Sequence, residues 1–80
     1  MYGWCKLIRE NDKEMLIGYS WKGNESCDGE IRFNKETKGI EIIKLSTGVS
    51  EEETKYLISP LRNAIRRGLL QGKKCILATG

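Results

Sequence analysis

SEEETKYLISPLRNAIRRGLLQG, residues 50–72, holds the one long helical pattern in the chain. Ser50 and Glu53 make a capping box. The Ser50 hydroxyl can accept from the Glu53 amide while the Glu53 side chain reaches back to the Ser50 amide. Glu51, Glu52 and Glu53 set negative charge against the positive end of the helix dipole. Arg66, Arg67, Lys73 and Lys74 set positive charge in or just past the last turns. Leu57, Leu61, Ala64, Ile65 and Leu69 recur at helical spacing and mark the buried face, with Leu61 and Ile65 in its middle. Gly72 is the expected stop. Pro60 lacks a backbone donor and crowds the Tyr56 carbonyl. Either the helix kinks there, or Ser59 and Pro60 open a second helix as cap and first residue.

Upstream of this helix the chain reads as strands. Residues 2–10 and 15–22 are rich in aromatic and branched side chains and flank a polar turn at 11–14. A hairpin turning on Asp12-Lys13, or on all four residues 11–14, gives one register. Trp4 then faces Trp21, Lys6 faces Tyr19 and Ile8 faces Ile17, while Cys5 opposes Ser20 and Leu7 opposes Gly18. Residues 23–29 form a loop by composition. Residues 30–34 alternate, residues 35–39 turn, and residues 40–46 make a fourth strand. The apolar phase of that strand changes from Ile40 and Ile42 to Ile43 and Leu45. Pairing Phe33 with Ile40 sets Arg32 against Glu41, a favourable cross-strand pair, and requires a bulge or a change of pairing near Ile43. Residues 74–79 read as a short last strand centred on Cys75-Ile76-Leu77-Ala78.

These elements predict a single α+β domain over residues 1–80. An antiparallel meander of four strands packs against one long C-terminal helix, and a short final strand lies antiparallel to the first, giving sheet order 5-1-2-3-4. Eighty residues support only one modest core. The three cysteines, Cys5, Cys27 and Cys75, are odd in number and widely spaced, which argues for free thiols rather than a disulfide framework. No apolar run approaches the length of a membrane span. Met1 leads directly into strand-like sequence without a signal-peptide pattern. A cytoplasmic protein with no membrane contact is the expectation.

The chain contains no histidine, which removes the commonest general base and the commonest metal ligand together. Cys27 lies beside Asp28, whose charge opposes thiolate formation. No Cys-x-x-Cys pair, calcium-loop spacing or glycine-rich phosphate loop is present. The reading is therefore non-enzymatic, with no catalytic residue, no cofactor and no metal.

Charge is the informative feature. Residues 1–53 carry eight basic and eleven acidic side chains, net −3; residues 54–80 carry six basic and none acidic, net +6. Such a split points to an anionic partner or an acidic protein surface. Candidate partner-binding residues are Arg62, Arg66, Arg67, Lys73 and Lys74. Trp4 and Trp21 join them if the helix packs on the Gly18/Ser20/Cys5 face and leaves Tyr2, Trp4, Tyr19 and Trp21 uncovered. The first functional expectation is a small binding or regulatory protein acting through protein–protein contacts, with a partner protein or as a homodimer. The alternative is a nucleic-acid-binding module using the basic face of the helix.

Overall fold

The computed structural model describes residues 2–78. Five strands, β1 (Tyr2–Glu10), β2 (Glu14–Ser20), β3 (Gly29–Asn34), β4 (Ile40–Lys44) and β5 (Cys75–Ala78), form one antiparallel sheet. The helix α1 (Glu51–Arg67) falls between β4 and β5 in sequence. The spatial order is β4-β3-β2-β1-β5, so four strands make the expected meander and the last lies beside the first. Thr79, expected at the end of the final strand, lies outside the described residues.

An asparagine starts both hairpin turns. Asn11 Oδ1 accepts from the Lys13 and Glu14 amides at 2.8 and 2.9 Å. Asn34 Oδ1 accepts from the Glu36 and Thr37 amides at 2.9 Å each. A short side-chain acceptor closing onto the next amides is why asparagine favours turns. In the second hairpin Phe33 pairs with Ile40 and Arg32 with Glu41, as the charge pattern requires. The register then shifts, because Ile31 pairs with Ile42 and Glu30 with Lys44. Ile43 is the extra residue of that bulge.

The first hairpin differs from expectation. Next to the turn, Glu10 pairs with Met15 and Arg9 with Leu16, as the turn dictates. Ile8 has no ladder partner, and beyond it Leu7 pairs with Ile17, Lys6 with Gly18, Cys5 with Tyr19 and Trp4 with Ser20. The expected pairs Trp4–Trp21, Lys6–Tyr19 and Ile8–Ile17 do not form. The bulge coincides with the connection from α1 to β5. Gly72 donates to the Leu7 carbonyl at 3.2 Å, and Gln71 Nε2 donates to the Ile8 carbonyl at 3.1 Å. A one-residue slip exchanges sheet faces. Cys5, Leu7, Ile17 and Tyr19 thus share the helix-side core with Ile31, Phe33 and Trp21. Tyr2 and Trp4 are left on the other face, edge to face at 6.3 Å.

Small residues on that outer face do admit a close neighbour, but it is the 22–28 loop rather than the helix. A Cβ on Gly18 would stand 2.8 Å from the Cys27 carbonyl oxygen. Ser20 Oγ donates to the Asn24 carbonyl, and Cys27 is buried.

The helix carries the capping box: the Glu53 amide donates to Ser50 Oγ and the Ser50 amide to Glu53 Oε1, each at 3.1 Å. It runs unbroken through Pro60, so no second helix starts at Ser59. It stops at Arg67, one turn before the expected Gly72. Gly68 takes φ 96° there and its amide donates to the Ile65 carbonyl. Gly72, at φ 77°, instead turns the chain toward β5. Leu57 and Leu61 are fully buried and Ala64 nearly so, Ile65 packs at the core's edge, and Leu69 is buried from beyond the helix.

A buried polar chain ties the helix start to the sheet. Tyr19 Oη bonds Thr54 Oγ1 at 2.9 Å and accepts from the Ser46 amide at 3.2 Å. Thr54 Oγ1 also donates to the Ser50 carbonyl. Asp28 secures the same connection, accepting from Ser46 Oγ at 2.6 Å and Thr47 Oγ1 at 2.5 Å. Those bonds hold the Asp28 carboxyl at about 2, below the ordinary 3.8.

Candidate binding surface

The ion pairs all fall within residues 1–53. Among the described residues the ion pairs are Lys22–Glu53 at 2.9 Å, Arg32–Glu14 at 3.4 Å, Arg32–Glu41 at 3.1 Å and Lys35–Glu10 at 2.5 Å. None of these pairs uses Lys6, Arg9, Lys13, Lys38 or Lys44, nor any of the six cations after residue 53, Lys55, Arg62, Arg66, Arg67, Lys73 and Lys74.

Three of those spare cations converge. A groove of about 390 Å³ between α1 and the β3–β4 turn is lined by Phe33, Lys38, Arg62, Ile65 and Arg66. Phe33 and Ile65 give it an apolar floor, and the lining holds no carboxylate. The turn builds one wall. Lys38 adopts the left-handed φ of 66°, held by its amide donating to the Asn34 carbonyl at 2.7 Å. Arg62 spans the groove's end, donating from Nη1 to the Lys38 carbonyl. It is therefore half-buried and tied to the turn, where the sequence pattern places it on an open solvent face. Arg66 is exposed, with Nη1 3.4 Å from Asn63 Oδ1.

Arg66 also borders a second, shallower groove on the β5 side of the helix, of about 500 Å³, with Pro60, Asn63, Arg67 and Ile76. Arg62, Arg66 and Arg67 thus form one cationic ridge along the C-terminal half of α1. Lys73 and Lys74 are exposed in the turn that leads to β5. Neither lines the two grooves that border the ridge. The two tryptophans separate as well. Trp21 is core, and Trp4 is half-buried on the outer face with an indole N–H that is enclosed without a protein partner. Neither borders the cationic groove.

Sequence reasoning missed Lys38, Phe33 and Ile65 as a group. Lys38-Gly39 reads as turn and Phe33 as core, and only the second hairpin folding against α1 brings them to Arg62. Elsewhere, burial raises the Cys27 thiol above its ordinary value, and neighbouring Asp28 adds only slightly. Burial likewise pushes Cys5 up to about 12. Among the described residues, no cluster of three or more Cys, Asp and Glu side chains could hold a metal ion, and no helix is long and apolar enough to cross a membrane. Searches against protein-family models, characterised proteins and solved structures found no match to this chain.

Proposed function

We propose that this chain is a small non-enzymatic binding protein that holds an acidic segment of a partner protein in the groove between α1 and the β3–β4 turn. One observation carries the reading. Lys38, Arg62 and Arg66 converge over an apolar floor of Phe33 and Ile65, with no carboxylate in the lining. Lys38 and Arg66 meet no carboxylate and are free to steer and orient an oppositely charged surface, while Arg62 stays bonded to the Lys38 carbonyl. Guanidinium groups suit this task, because their planar donors match a carboxylate in two-point contact. The apolar floor adds a preference for a large hydrophobic side chain between the acidic residues, since burying it contributes in proportion to the apolar area covered. Three free cysteines fit a reducing, cytoplasmic setting.

The test is fluorescence polarisation with short peptides in which Leu or Phe is flanked by Asp and Glu. The expected result is saturable binding that weakens with salt and is lost in Arg66→Glu. Binding of equal strength by peptides with Lys at the flanks would refute the reading. Tighter binding to single-stranded oligonucleotides, with a steep linear dependence on log salt, would assign the ridge to phosphates instead. A concentration-dependent dimer in sedimentation, broken by Arg66→Glu, would assign the groove to a second copy of the chain.

A further inference from the structure

The β1–β5 ladder sets Cys5 directly opposite Cys75. Opposed residues of an antiparallel pair project to one face, with Cα atoms about 4.5 or 5.5 Å apart according to the site. A disulfide spans Cα separations of about 4.4–6.8 Å, which brackets both kinds of site, and needs Cβ atoms about 3.5–4.5 Å apart, which the closer kind approaches and the wider kind reaches only by a small shift of the edge strand. Both thiols are on the helix side. Cys5 is fully enclosed in the core, and Cys75 packs at the core's edge with part of its surface open. The opening leads into a groove that Cys75 lines with Ala64, Arg67, Gly68 and Ile76. Cys27 is buried on the opposite side of the sheet, where its sulfur meets Ser20 Oγ at 4.0 Å. One thiol is therefore reachable, and its ladder partner is a second thiol that solvent does not reach.

We propose that Cys5 and Cys75 are a reversible oxidative modification site, in which a hydroperoxide entering beside Arg67 reacts at Cys75 and Cys5 closes a cross-strand disulfide. In the first step the Cys75 thiolate attacks the terminal peroxide oxygen. The O–O bond breaks, Cys75 becomes a sulfenic acid, and the leaving group (hydroxide from hydrogen peroxide, an alkoxide from an organic hydroperoxide) takes up the proton shed by the Cys75 thiol to leave as water or an alcohol. In the second step Cys5 sulfur attacks Cys75 sulfur. The S–S bond forms, the sulfenic S–O bond breaks, and the departing hydroxide carries off the Cys5 proton as water. Two thiols and one hydrogen peroxide thus give one disulfide and two waters. The division of labour follows the surroundings: burial and the adjacent Cys75 keep Cys5 protonated and out of the first attack, and its proton is lost only in the second step, to the hydroxide that leaves Cys75. The bond would fasten β5, a four-residue edge strand, to its neighbour β1. A dithiol reductant reverses it by exchange.

The experiment treats the native protein with a small excess of hydrogen peroxide at neutral pH, followed by thiol counting in denaturant, intact mass and peptide mapping. The expected count falls from three thiols to one, with the loss of two hydrogens and a Cys5–Cys75 linked peptide that dithiothreitol releases. Cys27→Ser should behave identically, falling from two thiols to none. In Cys5→Ser the reaction should stop at a Cys75 sulfenic acid that dimedone captures. If that variant does not fold, the mapped linkage in the native chain decides alone. A linkage involving Cys27, a disulfide between two chains, or Cys75 over-oxidised while Cys5 stays free would each overturn the proposal.

Discussion

The meander and the C-terminal half of the helix use charge in opposite ways. In the meander, Arg32 lies between Glu14 and Glu41, and Lys35 reaches Glu10. Arg32 and Glu41 are directly opposed across β3 and β4, so that pair supports a register as well as a fold. In the helix, Arg66 and Arg67 meet no carboxylate, and Arg62 is satisfied by a backbone carbonyl. The meander sets part of its charge against opposite charge, whereas the cations of the helix's C-terminal half meet no carboxylate. Exposed pairs of the first kind are each worth about 0–1 kcal/mol. The difference therefore matters less for stability than for what the second region has left to offer a partner.

The comparison implies that α1 stabilises the protein through its inner stripe and its first turn, not through its basic ridge. Leu61→Ala should show the largest effect, about 2–5 kcal/mol, because the side chain is fully buried under the sheet. Urea melts with a near-native midpoint for that variant would mean that the helix does not need its inner face. Ser50→Ala should cost about 1 kcal/mol by removing the bond to the Glu53 amide. An unchanged midpoint would leave the capping box without energetic weight.

A third effect is read in pH. Asp28 titrates at about 2 when folded against an ordinary 3.8, and Glu53 is also lowered, first by its hydrogen bond from Lys22. A carboxyl lowered by folding stabilises fully above its ordinary value and loses that contribution as pH falls through the folded one. Stability should therefore decline on acidification between about pH 4 and 2. Asp28→Asn should make the decline shallower; an equally steep decline would place the acid sensitivity elsewhere. The finest distinction lies within the ridge. Arg62→Gln should cost about 0.5–1.5 kcal/mol through its bond to Lys38, whereas Arg66→Gln should stay within about 0.5 kcal/mol. Equal costs would erase the division between a tethering arginine and a free one.

Local chemistry made much of this fold legible. Asn11 and Asn34 announce turns, Ser50 and Glu53 announce a helix start, and Arg32 against Glu41 selects the second hairpin's register. What escaped was imposed from a distance. Nothing around Ile8 signals a bulge, because the groups that use the carbonyls there belong to Gln71 and Gly72. That single slip decided which aromatics are buried, so the expected four-aromatic face did not form. The helix end was misplaced because Gly68 and Gly72 both satisfy the rule for a stop, and only one is followed by chain that must return to β1. The candidate groove was legible in part. The run of arginines stood out, but Lys38 and the Phe33 floor join it through tertiary packing alone.

The neighbours of β1 also set an order of events in folding. Cys5 meets Tyr19 on one side, close in sequence, and Cys75 on the other, at the far end of the described chain. Hairpins close quickly and distant pairings slowly, since the loop between their partners must be closed first. During synthesis β1 would wait, one edge already zipped and the other bare, until the segment beyond the helix left the ribosome. For that interval the first strand is an open template for any passing chain, and it is the last strand, only four residues long, that ends the exposure.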